Sequence, residues 1–456
     1  MIDDRPSLAR TPAHDLALEC VEAGIEAATP ERVIRDRVSL DGDVLRIADG
    51  EYDLAAFDDV VVLGGGKAAA GVAAALEAVL GDRLTGGVVV TDELPAGATD
   101  TGARTGGVDV VVGDHPVPSE RGLEGARQVL DAAAAAEEGT LVLAVITGGA
   151  SALLPAPVSG VGLSSLRTVT ELLLECGATI DEINAVRKHC SRIKGGQLAT
   201  TAAPATVAGL VFSDVVGDDL SVIASGPTAP DDSTYADALT VLDRYDVEAP
   251  DVRLHLEHGD VGDFPETAAA DHPAFDRVEN YVLASGRTAI DAAREVARGA
   301  DYRPLVLSST VRGEASEAAL THVAIAEEAL SRGDPVEPPA VVLSGGECTV
   351  TVEGDGSGGP NQEFALAAAV ELPAEAVLAC VDTDGVDGFS EVAGAIVDAS
   401  TVDDKESARA ALARNDAGRY LEERGATIRT GPTGTNVNDL RVLVLEQQQA
   451  GVLTGP

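Results

Sequence analysis

The chain has 456 residues, with 76 Asp and Glu against 32 Lys and Arg, a formal charge of −44. Apolar types make up 45%, enough to close a core, which excludes wholesale disorder; the length favours two or three domains. So acidic a chain lacks the basic surface that nucleic acid or anionic membrane requires. A small anionic substrate stays open, because local arginines and helix N-termini can hold one.

Of the basic residues 28 are Arg and only 4 are Lys. With 3% aromatics and many small aliphatics, this composition predicts a solvated acidic surface screened by salt and a salt-loving, cytoplasmic protein. The five cysteines (Cys20, Cys176, Cys190, Cys348, Cys380) are scattered without a CxxC pair, which disfavours a disulfide framework and a zinc site and predicts mostly buried thiols. The opening MIDDRPSLARTPAHD has no apolar h-region, and no apolar run approaches the length of a membrane span.

Taken in chain order, short β-branched runs alternate with Ala-rich helical stretches. A strand at 60–63 runs into Gly64-Gly65-Gly66-Lys67 and a helix over 68–81. Strands at 88–90 and 110–112, a helix over 121–138 and a strand at 141–146 follow, the last ending in Thr147-Gly148-Gly149-Ala150-Ser151. The pattern weakens over 247–276, an acidic, Pro-containing stretch predicted to be a domain junction. It resumes with strands at 281–284, 305–307 and 341–343 and helices over 290–297 and 314–332. Near-continuous apolar strands separated by helices predict a mostly parallel sheet covered on both faces.

Several segments could carry chemistry. Strand–GGGK–helix predicts backbone N–H groups free to meet an anion at a helix N-terminus. It misses Walker A because Ala68 follows Lys67, whereas Gly64, Gly66 and Ala69 fit the dinucleotide pattern GxGxxA, with Asp92 as a ribose candidate. The glycines answer equally to tight strand–helix packing. Three of the four lysines (Lys67, Lys188, Lys194) lie in motif-like segments, where a compact ammonium can meet phosphate. The basic cluster Arg187-Lys188-His189 could also be an ordinary helix face. Asp214 follows an apolar run, and an Asp at a strand end can hold a metal or accept a hydroxyl proton. His115 and His189 are the histidines in motif-like turns. The run DTDGVDG at 382–388 breaks EF-hand spacing, and neither HExxH nor GxSxG occurs.

In this order the segments LGGGKAA, GDHPVPSERGL, TGGASALLPAP, IDEINAVRKHCSRIKGGQLA, FSDVVGDD, ASGPT, LSGGE, GGPNQE, DTDGVDG and TGPTGTNVNDL resemble the glycerate 2-kinase family, whose C-terminal part is called the MOFRL domain. The resemblance covers roughly residues 14–446. It implies two α/β domains: a larger Rossmann-like parallel-sheet domain over 1–250, an acidic junction over 251–276 and a smaller α/β domain over 277–456, the last twenty or so residues free to return to the first domain. It implies transfer of the γ-phosphate of ATP, with Mg2+ or another divalent ion, to the 2-hydroxyl of glycerate in a cleft between the domains. Small-molecule substrates are the expected partners, with no nucleic acid and no membrane, and a homodimer is the assembly to look for.

Carried over by position, Lys67 matches the family's active-site lysine. Asp214 and Arg187 are expected beside it in catalysis. Gly64, Gly65, Gly66, Gly148, Gly149, Ser151, Lys188, Lys194, Asn361 and Asn436 are the expected substrate and nucleotide contacts, and Glu347 and Asp384 the metal ligands. The family usually has GGRNQE where this chain has Pro360, so Arg187, Lys188 or Arg287 is the expected substitute charge. An NAD(P)-dependent hydroxypyruvate reductase and a catalytically idle binding protein are the alternatives.

Overall fold

The computed structural model describes residues 1–94, 104–105 and 107–447, in two bodies: Pro30–Leu283, and Met1–Thr29 together with the chain from Ala284 onward.

The first body opens with an antiparallel ribbon of β1 (Val38–Asp41), β2 (Val44–Ile47) and β3 (Gly50–Asp53). Its main sheet contains β4 (Asp59–Gly65), β5 (Gly86–Thr91), β6 (Arg104–Thr105), β7 (Val108–Val112), β8 (Thr140–Ile146), β9 (Thr206–Phe212) and β10 (Val278–Ala284). The order among described residues is β10-β9-β8-β4-β5-β7-β6. From β9 across to β7 the strands run parallel, and β6 is antiparallel to its neighbour β7. Every residue of the central β8 is buried, as a strand covered on both faces requires. The helix Ala69–Leu80 begins after the GGGK segment and stops at Gly81, whose φ of 51° suits a glycine. The helix Glu120–Ala134 is capped by Ser119, whose side chain accepts from Gly122 N.

The second body carries β11 (Arg303–Glu314), β12 (Ala340–Thr349), β13 (Ala376–Asp382), β14 (Gly394–Asp398), β15 (Thr427–Ile428) and β16 (Asp439–Leu445), in the order β11-β12-β16-β13-β14-β15. Only β11 and β12 pair in parallel; the rest of the sheet is antiparallel. The helix Pro360–Ala369 lies over it, its Phe364, Leu366 and Ala368 in one core with Leu378, Val397 and Leu443.

The domain boundaries differ from the sequence-based ones in three places. Residues 251–276 are no junction: the helix Pro250–Asp260 buries Val252 and Leu256 with Tyr235 and Leu242 inside the first body. The helix Pro12–Ala27 packs with the second body, against the helix Gly286–Gly299 and β16. Gly24 permits that contact, since a Cβ there would come within 3.1 Å of Ala289 O. Leu16, Leu18, Val21 and Ile25 are buried along this helix, each worth about 1.5–3 kcal/mol; an apolar stripe announces a partner without saying which one. Finally, β16 is an interior strand of the second body rather than a segment returning to the first, and residues 448–456 lie outside the described ones.

Among the described residues no helix is long and apolar enough to cross a membrane. All five cysteines are free, four of them buried and Cys176 exposed.

Candidate active site

In the first body the loops after β4 and β8 meet. Gly64 and Gly66 have φ of 137° and 130°, and a Cβ would stand 2.0 Å from Val145 O on the first and 2.4 Å from Thr147 O on the second. Strand-to-strand packing therefore demands these glycines. The N–H groups are likewise used within the protein. Gly66 N donates to Val90 O (2.9 Å), Lys67 N to Gly148 O (2.9 Å) and Ala68 N to Thr147 Oγ1 (3.2 Å). The expected open anion loop at 64–66 is thus a bracket that fixes Lys67, with Thr91 Oγ1 donating to Lys67 O (3.0 Å).

The loop after β8 brings functional groups together. A Cβ on Gly148 would lie 2.3 Å from Asp214 Oδ2, and one on Gly149 would lie 3.0 Å from His115 Cδ2 and 3.2 Å from Lys67 Cγ. Lys67, His115 and Asp214 therefore surround two adjacent glycines. His115 was legible only as a histidine in a turn, GDHPVP.

Beside Gly149 a cavity of about 350 Å³ is lined by Ser151, Arg167, Arg187 and Lys194. Lys194 is 2% exposed and donates to Ser151 O (2.9 Å). Burial, then the nearby Arg187 charge, holds its ammonium down at about 7. Arg187 is also held below its ordinary value by burial, and its Nε donates to Thr170 Oγ1 (3.4 Å). Ser151 Oγ and Ser225 Oγ are 3.0 Å apart, and Ser225 Oγ donates to Asn184 Oδ1 (3.0 Å).

Lys188 stands apart from this group. It forms a buried ion pair with Asp231 (3.0 Å), which also accepts from Thr267 Oγ1 (2.8 Å). The fold thus supplies its counter-charge. Arg287 is similarly engaged, in an exposed pair with Asp291 (3.0 Å). Of the expected substitute charges, only Arg187 lines the cavity.

The second body gathers the other expected residues. Asn361 N and Gln362 N donate to the two oxygens of Asp387 (2.9 and 2.8 Å) at the start of the helix Pro360–Ala369. Burial pushes Asp387 up to about 6. Pro360 occupies the first helical turn, where a missing N–H costs nothing. Asn361 Nδ2 also donates to Asp439 Oδ1 (2.6 Å), and Asp439 pairs with the buried Arg441, whose guanidinium lies 4.6 Å over the Phe364 ring. Asn436 Nδ2 donates to Asp384 Oδ2 (3.4 Å). Asp382 is pushed well above the usual carboxylate range by desolvation, then by Asp384 and Asp439.

Glu347 is exposed on β12. Among the described residues no three His, Cys, Asp or Glu side chains are arranged to hold a metal. A divalent ion carried on nucleotide phosphates needs only one or two carboxylates, and it belongs with the substrate.

Two family models match the chain. A domain of unknown function, DUF4147, matches residues 16–257, and the MOFRL family matches residues 340–439. The chain is 37% identical to a glycerate 2-kinase of Pyrococcus horikoshii, over 95% of this chain and 98% of that one. It is also 37% identical to a D-glycerate 2-kinase of Thermotoga maritima, over 93% and 96%. A relative in Agrobacterium vitis, 39% identical over 84% and 87%, bears a provisional hydroxypyruvate reductase name. The solved structure of a Thermotoga maritima glycerate kinase superposes with a TM-score of 0.81 at 35% identity, covering 94% of this chain and 98% of that one. With relatives this similar over nearly their whole length, the chain belongs to the glycerate 2-kinase family.

Proposed function

We propose that the chain is an ATP-dependent kinase that phosphorylates the 2-hydroxyl of glycerate, giving 2-phosphoglycerate and ADP. The observation that carries the reading in this chain is the convergence of Lys67, His115 and Asp214 on the Gly148–Gly149 turn. The acceptor oxygen bonds to the γ-phosphorus as the bond from phosphorus to the β,γ-bridging oxygen breaks. The hydroxyl proton passes to Asp214, and ADP leaves. Such a transfer asks for positioning and for charge on the equatorial oxygens rather than covalent help. Lys67 supplies a point charge there. ATP enters as its complex with Mg2+ or another divalent ion. The composition supports a salt-adapted, cytoplasmic enzyme, and a homodimer is the assembly proposed for it.

The reductase reading rests on the glycines of GxGxxA, and both positive-φ glycines are accounted for by contact with β8 and Thr147.

The test is an assay in molar KCl with Mg-ATP and D-glycerate, coupled to enolase, which accepts 2-phosphoglycerate and not the 3-isomer. Turnover is expected. Asp214→Asn should lower kcat roughly 10²–10⁴-fold, as loss of a general base does; an unimpaired variant removes Asp214 from the mechanism. NADH oxidation with hydroxypyruvate, without ADP release, would replace the kinase by the reductase.

A further inference from the structure

Three basic side chains are buried among the described residues: Lys188, Lys194 and Arg441. Two of them have a buried carboxylate of their own, Asp231 and Asp439. Lys194 has none, and its half-buried neighbour Arg187 has none either. A fold that holds two cations together without a counter-charge leaves each uncompensated, which is costly unless an anion joins them.

We propose that Arg187 and Lys194 clamp the carboxylate of the acceptor in the cavity between the helices Leu163–Glu175 and Ile180–His189 and the Gly149–Ser151 turn. This rests on the kinase reading and assigns one end of its substrate. The charged and titratable groups facing Lys194 in that cavity are His115 from the 113–118 loop, Arg167 and Glu171 from the first helix and Arg187 from the second. Three cations against the one carboxylate make it a basic enclosure in a chain of charge −44.

Its size and walls favour a short hydroxy acid over a polyphosphate. Leu166, Leu174, Val117 and the prolines beside His115 give it an apolar lining, and two donor groups match one carboxylate. Gly149 lines the cavity and also packs against Lys67 Cγ. A carboxylate seated there therefore places the adjacent 2-hydroxyl on the side of Lys67 and Asp214. Burial disfavours the charged form of Lys194, and an anion seated beside it favours that form.

Calorimetry on the full-length protein would compare D-glycerate, its neutral amide glyceramide, and ATP, for wild type, Arg187→Gln and Lys194→Gln. Wild type should prefer glycerate to the amide. Each variant should lose glycerate affinity roughly 10- to 100-fold, the worth of a charge-assisted hydrogen bond, while amide and ATP affinities hold. Retained ATP binding shows a folded variant, and Arg187→Gln alone suffices should Lys194→Gln fail to fold. A preference for glycerate over the amide that survives Arg187→Gln overturns the clamp, as does a loss that falls on ATP. Glycerate binding without turnover would leave the clamp standing and remove the kinase reading instead.

Discussion

In the second body buried charges of opposite sign meet: Asp439 pairs with Arg441 and accepts from Asn361, and Asp387 receives two backbone N–H groups. In the first, Arg187 and Lys194 line one cavity, neither of them in an ion pair, with Glu171 as its one carboxylate. Lys188, one residue away from Arg187, is by contrast neutralised by Asp231. Paired charges fix a backbone, even though Arg441 Nε and Nη1 and Asn361 Oδ1 stay without hydrogen-bond partners; a cluster without ion pairs marks where a ligand completes the charge balance. The same residue type thus plays opposite parts at adjacent positions, decided by whether the fold supplies its partner.

The sharpest way to break the contrast is Arg441→Met. Removing one partner of a buried pair costs about 3–5 kcal/mol, to be read as a fall in unfolding free energy by denaturant titration; Arg441→Met with Asp439→Asn should recover part of it. Next comes Gly66→Ala, which forces a side chain into φ 130° against Thr147. Strained backbone of this kind costs about 1–3 kcal/mol, so its melting temperature should drop.

Lys194→Met probes the other side through pH. Burial holds Lys194 at about 7 instead of its ordinary 10.5, so between those values the unfolded chain binds more protons. The destabilisation caused by burying Lys194 is complete below pH 7 and is relieved as pH rises toward 10. Any stability advantage of Lys194→Met over wild type should therefore shrink across that window, by at most about 1.4 kcal/mol per pH unit. A pH-independent difference would contradict it. Smallest is Arg287→Ala, which breaks an exposed pair with Asp291 and should change stability by less than about 0.5 kcal/mol.

The elements themselves were largely legible. The helix expected over 68–81 is Ala69–Leu80, and the one expected over 314–332 is Ala315–Arg332, because glycines and apolar periodicity act locally. The reasons behind residues were less so. Gly64 and Gly66 read as a phosphate loop, yet their constraint comes from β8, eighty residues on, which no local pattern reveals. Arg441 interrupts the apolar run of the strand DLRVLVL, and its meaning depends on Asp439 and on Phe364 of a distant helix. Lys188 and Lys194 looked alike in sequence; Asp231 separates them.

The docking of the helix Pro12–Ala27 within the second body bears on how the protein is made. That helix leaves the ribosome before residues 30–283, which form a contiguous unit able to close as soon as they emerge. Its own partners, the helix Gly286–Gly299 and β16, are translated only afterwards. Through that interval Leu16, Leu18, Val21 and Ile25 have no native surface to cover them, so the nascent chain carries an apolar segment that invites chaperone capture. Deleting the first 29 residues should therefore cripple the C-terminal body, however far away those residues lie in the gene.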